Sequence, residues 1–504
     1  MLLLAGCSTL PPNVEREESY TLTDTAETNL ALRTQPLLDE QPGLSGFHIL
    51  NDGMDAFTAR TRLIGAAQKS IDTQYYIWHD DLTGRVLHHL LLAAADSGVR
   101  VRLLLDDLDT AGKEPILRYI DAHPNIEIRL FNPFANRDMR AGDFITDTRR
   151  VNRRMHIKTL TVDNQATIFG GRNIGNEYFD AGKDVAFGDV DTLAIGPIVN
   201  EVSDQFDLYW NSQWVYPLAA FSPEPADAAE ISAYRVQSAA YMEQALTSEY
   251  AAALNEIEMQ QIASLAGLDY SWSKWRLAYD LPSKVEAEKV TAGTHLGPVI
   301  KEGMDNTERE LIIVSPYFVP GVSFTKYLTG LVDKGVHVRI LTNSLSANDV
   351  SLVHAGYMRY RKDLVAGGVD LYEYKATGGT GIARKDKKKK RVGASRASLH
   401  AKFFGFDQRY IFIGSFNLDA RSLELNAELG AYFESTEQGQ QLSENFDQNI
   451  LDRAYKLHLD NAKDLYWITR ENGEDIRFDK EPETSFWDRF KVRTLSIFVP
   501  ESQL

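Results

Sequence analysis

His156, Lys158, Asp163, Gly170, Gly171 and Asn173 recur, with identical spacing, as His400, Lys402, Asp407, Gly414, Ser415 and Asn417. With 11 histidines in the chain, one chance match to this His-Lys-Asp-Gly spacing is expected only about 0.002 times, and two far less often. A single residue separates each His from its Lys, so in an extended segment both side chains point to one face. If the two copies converge, two imidazoles and two ammonium groups share one pocket. That set suits phosphodiester chemistry with no metal and no cofactor. One neutral histidine attacks phosphorus and the other, protonated, donates to the leaving oxygen. The lysines then stabilise the non-bridging oxygens, and the histidine pair titrates as a coupled unit.

The flanking residues fall into roles. Asn173 and Asn417 offer neutral amide donors to phosphate oxygens. Gly170, Gly171 and Gly414 allow close backbone approach, and Ser415 stands where the first copy has Gly171. Asp163 and Asp407 are grouped with the candidate catalytic residues, yet each comes where a strand should turn, so turn formation is the favoured reading. A neutral imidazole nucleophile needs its other ring nitrogen held by an acceptor, usually a carboxylate. Glu428 is the candidate in the second half, and Asp191 in the first, with Asp189 in reserve and Glu177 offset. His79 and His354 read as structural. No metal-ligand signature is present, nor a Walker-type loop or dinucleotide fingerprint.

The two copies sit inside a longer repeat. Ser70 to Trp78, Val99 to Leu105 and Ile126 to Phe131 read as buried strands, and Leu311 to Tyr317, Val336 to Thr342 and Val369 to Tyr374 match them. Leu82 to Ser97 and Ser323 to Lys334 have helical length between strands, which predicts α/β halves with a mixed, mostly parallel sheet flanked by helices. A pseudo-twofold axis would then give one shared active site. The expected organisation is a tether over 1–20, a first half over 21–215, a helical connector over 216–296, a second half over 297–475 and an amphipathic tail over 476–504. Tyr20 to Gly46 lacks a clear period and reads as loosely packed.

The chain has 504 residues, 43% hydrophobic and 25% charged, which suits two or three globular units. No apolar run reaches the roughly 18 residues of a membrane span. A net charge of −17 argues against broad nucleic-acid binding. The single cysteine, Cys7, excludes an internal disulfide. It closes Leu4-Ala5-Gly6-Cys7, which resembles a bacterial lipobox followed by a flexible tether, although only six residues precede it. That resemblance implies lipidation and an envelope location, with Ser8 favouring the outer membrane. Arg384 to Arg391 reads as a basic loop that could attract anionic headgroups, or as a solvated charge run. Phe486 to Pro500 fits a helix lying in a membrane interface and equally a helix docked on the protein's own core.

The duplicated motif resembles the signature of the phospholipase D superfamily, over nearly the whole chain. Within it the chain is most similar to bacterial cardiolipin synthases of the third type. Tyr75 to Asp80, Gly170 to Ile174, Ser315 to Gly321 and Thr342 to Ala347 carry that likeness. The resemblance implies phosphatidyl transfer through a covalent phosphohistidine, with His156 as the favoured nucleophile. It implies phosphatidylglycerol as a substrate, with phosphatidylethanolamine as a second candidate, at a membrane surface. Hydrolysis to phosphatidic acid is the alternative, since water and alcohols attack a phosphohistidine alike. A nuclease or a non-catalytic lipid-binding protein fits less well. The acceptor, the oligomeric state and any accessory protein are left open by sequence.

Overall fold

The computed structural model describes residues 9–12, 14–182, 185–222, 226–255, 265–286, 291, 295–377 and 396–498. Cys7 and the basic run Arg384 to Arg391 lie outside the described residues.

The first half contributes β1 (Ser45–Leu50), β2 (Ser70–Tyr75), β3 (Arg100–Asp106), β4 (Ile126–Phe131), β5 (Thr159–Val162), β6 (Ala166–Gly170), β7 (Val185–Gly188), β8 (Asp191–Ile195) and β9 (Val215–Pro217). Two short strands follow, β10 (Ser271–Ser273) and β11 (Trp275–Tyr279). The second half adds β12 (Glu310–Val314), β13 (His337–Asn343), β14 (Asp370–Tyr374), β15 (Arg396–Leu399), β16 (Phe403–Phe406), β17 (Tyr410–Gly414), β18 (Leu429–Glu434), β19 (Ala454–Leu459), β20 (Leu465–Glu471) and β21 (Glu474–Phe478). One sheet runs β10-β1-β8-β6-β5-β2-β3-β4-β9 and the other β11-β18-β17-β16-β12-β13-β14-β19-β20-β21. The shared order is the repeat made visible.

The sheets are mixed, but the expectation of mostly parallel strands is corrected. Parallel pairing joins β2, β3 and β4, and their counterparts β12, β13 and β14, and the rest of each sheet pairs antiparallel. Helical crossovers impose the parallel core. The hairpin through Asp163 and Asn164, both at positive φ (51° each), imposes the antiparallel flank.

Helices cover the outer faces. Among them, in chain order, are α1 (Asn29–Glu40), α2 (Gly53–Ala66), α3 (Leu82–Asp96), α4 (Arg140–Thr146), α5 (Ile198–Trp210), α6 (Ala228–Leu246), α7 (Gly297–Asp305), α8 (Gly321–Asp333), α9 (Ser351–Tyr357) and α10 (Phe486–Phe498). Side chains cap several N-termini: Asp52 accepts from Met54 N and Asp55 N at α2, and Asp81 from Gly84 N at α3. The N-terminal stretch is not loosely packed: α1 buries Leu30, Ala31 and Thr34, with Thr28 as its cap. The connector is not purely helical either, since β10 joins the first sheet through β1 and β11 the second through β18.

The halves share a core. Phe47, Met155, Ile157 and Trp210 of the first half cluster with Ala401, Phe403, Ala427 and Phe433 of the second. The rings of Phe47 and Phe433 stack 3.9 Å apart. β7 and β15 cross the boundary as a separate parallel pair.

Candidate active site

Both His-Lys pairs lie in extended linkers that lead into strands, His156 to Lys158 before β5 and His400 to Lys402 before β16, and not within strands. The middle residues Ile157 and Ala401 are fully buried in the shared core, which turns His and Lys the other way. Each linker enters the site at the end where the parallel strands finish.

The two halves bind each other reciprocally there. His156 N donates to Ala427 O at 2.8 Å, and His400 N to Gly188 O at 2.7 Å. Each histidine is therefore docked on the other half beside that half's carboxylate. His156 Nδ1 lies 2.8 Å from Glu428 Oε2. His400 Nδ1 lies 2.6 Å from Asp189 Oδ2. All four side chains are buried.

Asp191 does not hold a histidine, which corrects its assignment. Its carboxylate bonds Arg60 Nη2 at 2.9 Å and accepts from Arg172 N at 3.1 Å, within a buried cluster. Register gives the reason. Gly170 pairs with Asp191, whereas Gly414 pairs with Gly430, so Asp189 and not Asp191 is the counterpart of Glu428.

Asp163 and Asp407 are also corrected away from the catalytic set. They stand at the far ends of β5 and β16, facing the turns that enter β2 and β12. Asp163 accepts from the backbone N–H groups of Gln68, Lys69 and Ser70. Asp407 does the same for Glu308, Arg309 and Glu310.

The glycines differ in what they make room for. A Cβ on Gly171 would meet Asp189 Oδ1 at 2.1 Å, so the Asp189 carboxylate occupies that space. A Cβ on Gly414 would meet Leu429 O at 2.3 Å. Ser415, in the place of Gly171, donates from Oγ to Glu428 Oε2 at 2.5 Å, and Ser422 Oγ donates to Oε1 at 2.9 Å. Asn173 Nδ2 donates to Tyr178 OH at 2.8 Å, and Oδ1 of Asn173 and of Asn417 is buried without a protein partner.

Lys158 Nζ donates to His156 O at 2.5 Å. Lys402 Nζ donates to His400 O and stands 2.8 Å from Nδ1 and 3.1 Å from Nε2 of that ring. With Nδ1 facing Asp189, this lysine acts on His400 as a neighbouring charge. Aromatic rings that sequence reading did not single out enclose the pair: Tyr76 lies 4.9 Å from His156, and Tyr178 and Phe187 lie 5.2 and 5.3 Å from His400. Tyr76 lies within the Tyr75 to Asp80 segment that carries the family likeness, and the sequence signal of Tyr178 is its proximity to the motif glycines.

Burial pushes the His156 imidazole well below its ordinary pKa, and the charges of Lys158, Lys402 and His400 act in the same direction. Burial and Lys402 also lower His400, but Asp189 opposes them. Burial alone would raise Asp189, yet the His400 and Lys402 charges overcome it and leave the carboxyl below its ordinary value. Burial pushes Glu428 up to about 8 against the pull of Lys158. It brings Lys402 down to about 8 despite Asp189 and Glu428.

His79 lies 3.1 Å from Glu177, and together with Asp81 they offer ligand atoms within 4.8 Å of one another. Asp81 is already committed to Asn176 N and Gly84 N, so the trio has no assignment to a metal. His354 is fully buried, 3.7 Å from Glu481 and away from the histidine pair.

The family profile described as "Cardiolipin synthase, PLD-like domain" matches residues 61–210 and 300–450, one span in each half. Cardiolipin synthase C of Escherichia coli (strain K12) is 44% identical over 94% of this chain and 99% of its own length. Cardiolipin synthase A of Pseudomonas syringae pv. syringae (strain B728a) is 28% identical over 80% of this chain and 68% of its own. The crystal structure of phosphatidylserine synthase from Haemophilus influenzae Rd KW20 superposes with a TM-score of 0.57 at 15% identity, covering 92% of this chain and 96% of that one. The likeness to that structure is one of fold. This chain belongs to the cardiolipin synthase family of phospholipase D-like proteins.

Proposed function

We propose that the protein is a phosphatidyltransferase that makes cardiolipin by double displacement through a covalent phosphohistidine. The observation that carries this reading is the crossed pairing, in which two buried histidines are each held at Nδ1 by a carboxyl group of the other half, leaving Nε2 to react. His156 is the nucleophile, since burial and the lysine charges keep its imidazole neutral. Its Nε2 forms a bond to phosphorus and the bond to the leaving glycerol oxygen breaks. His400, whose hold on a proton Asp189 strengthens, gives that proton to the leaving oxygen. An acceptor hydroxyl then returns a proton to His400 and attacks phosphorus, and the N–P bond breaks. Lys158 and Lys402 offset the charge on the non-bridging oxygens, and Asn173 and Asn417 donate amide N–H groups to them.

Phosphatidylglycerol is the substrate we assign, with phosphatidylethanolamine as a second phosphatidyl donor. The test is to supply phosphatidylglycerol, with and without phosphatidylethanolamine, and to read the products by mass spectrometry. Cardiolipin is expected. Phosphatidic acid as sole product would overturn the reading in favour of hydrolysis. We assign Cys7 as a lipid attachment site in the cell envelope, with Ser8 directing the protein to the outer membrane. Labelled palmitate should enter the wild-type chain in cells and not Cys7→Ser, and label in both would refute the assignment.

A further inference from the structure

The helix α10 turns two faces outward from its axis. Val492 is buried, and the Ser496 carbonyl accepts from Arg359 Nε at 2.8 Å, so that face packs on the protein alongside α9. The opposite face carries Phe486, Trp487 and Phe490, which are 65%, 71% and 54% exposed. Their ring centroids lie 5.5 to 6.2 Å apart, so they form one apolar cluster in water. Exposed Lys491 and Arg493 flank that face on either side of the wheel.

The segment that leads into the cluster is tied by Glu483 to the loops at the ends of β13 and β14, the sheet end from which His400 is reached. Asn343, at the end of β13, exchanges two 2.9 Å hydrogen bonds with Leu399, the residue before His400. Just beyond it, Ser346 Oγ donates to the Glu483 carboxylate, which also accepts from Ala376 N and Thr377 Oγ1 where β14 ends. Glu483 is three residues before Phe486. The first half has its own apolar point at the same end. Between β4 and His156, α4 and its approach expose Met139, Phe144 and Ile145, the last at 85%. Phe144 packs on Phe134, which packs on Arg154, two residues from His156.

We propose that this rim is the surface by which the protein seats on a phospholipid bilayer, with the aromatic turn of α10 as its anchor. The inference rests on the phosphatidyl-transfer reading, because it sets the catalytic mouth against the surface that holds the lipid. An apolar rim contributed by both halves suits an extended surface that can touch both together. Lys491 and Arg493, at the edges of the aromatic face, are placed to meet anionic headgroups while the rings enter the headgroup and acyl boundary. The docked face of α10 fixes the ring orientation, so no helix formation has to accompany binding.

The test uses the full chain carrying Cys7→Ser, so that a lipid anchor cannot mask the surface. Flotation with vesicles of phosphatidylglycerol and phosphatidylethanolamine reads binding. Cardiolipin formation is measured from those vesicles and from short-chain phosphatidylglycerol dispersed as monomers. Replacing Phe486, Trp487 and Phe490 by Ser should reduce vesicle binding and vesicle turnover by about tenfold or more, with turnover on monomers unchanged. Ile145→Ser with Phe144→Ser, far from α10 in sequence, should act in the same direction. Equal binding by the triple-serine variant and its parent overturns the proposal, as does an equal loss on vesicles and monomers. So does loss of a wild-type dimer in the triple variant with vesicle binding intact, which would identify the face as self-associating. A protein that floats with vesicles yet forms cardiolipin from neither substrate leaves the surface standing and removes the phosphatidyl-transfer reading.

Discussion

The carboxylate of Asp189 raises the proton affinity of His400 against burial and the charge of Lys402. Asp189→Asn removes the anion that favours the imidazolium. The His400 pKa should therefore fall further, as read by NMR titration of the ring protons, and turnover should drop on the order of 100-fold or more. Asp191→Asn should do something else. It leaves Arg60 and Arg172 as buried cations short of a partner, so thermal or denaturant unfolding should show a loss of about 3–5 kcal/mol. Turnover per folded molecule should be retained. Lys402 is brought down to about 8 by burial. It is charged below that value and neutral above it, so turnover should decline as pH rises through about 8, as a pH–rate profile will read. Sequence made the His and Lys of both copies legible because a period of two and an exact repeat are local properties. It could not separate Asp189 from Asp191, since two residues apart on an extended segment share a face. Only the pairing of Gly170 with Asp191, against Gly414 with Gly430, decides between them.

At the scale of elements, Asp163 and Asp407 each gather three backbone N–H groups at the entry to β2 and β12. Asp163→Ala leaves those donors without their carboxylate. A loss of about 1–3 kcal/mol is expected from unfolding curves, with turnover per folded molecule near that of the parent. Gly171→Ala works from the opposite end of the strand pair. Its Cβ claims the space of Asp189 Oδ1, so the variant should lose turnover by displacing the carboxylate from His400. Rescue by a second substitution at Ser415 is not expected, since Ser415 serves Glu428. The parallel strands β2 to β4 and β12 to β14 were readable because each is a short apolar run between helical segments. The antiparallel flank was not, since nothing in the apolar pattern of β5 or β16 states which way its neighbour runs. The helix α1 escaped for a different reason: it buries only Leu30, Ala31 and Thr34 and carries Pro36, so its apolar stripe is too thin to show a period.

For the whole molecule, the interface between halves is a core in its own right, with Phe47 stacked on Phe433 and the pairing of β7 with β15 across the boundary. Two separately expressed chains, residues 1–255 and 256–504, should therefore associate without a peptide link between them. The two fragments should co-elute in size exclusion and keep turnover. The duplication was legible at this scale and the exchange between its halves was not, because the sequence repeats within each half whereas the hydrogen bonds of the site run across. His156 answers to a carboxylate 272 residues away and His400 to one 211 residues away. That exchange has a consequence for inheritance. A substitution at Glu428 is felt by the first copy of the motif and one at Asp189 by the second, so neither copy can drift on its own account. Recombination that replaced one half by a distant relative's would bring a histidine matched to a carboxylate left behind, and the two halves have to evolve as a pair.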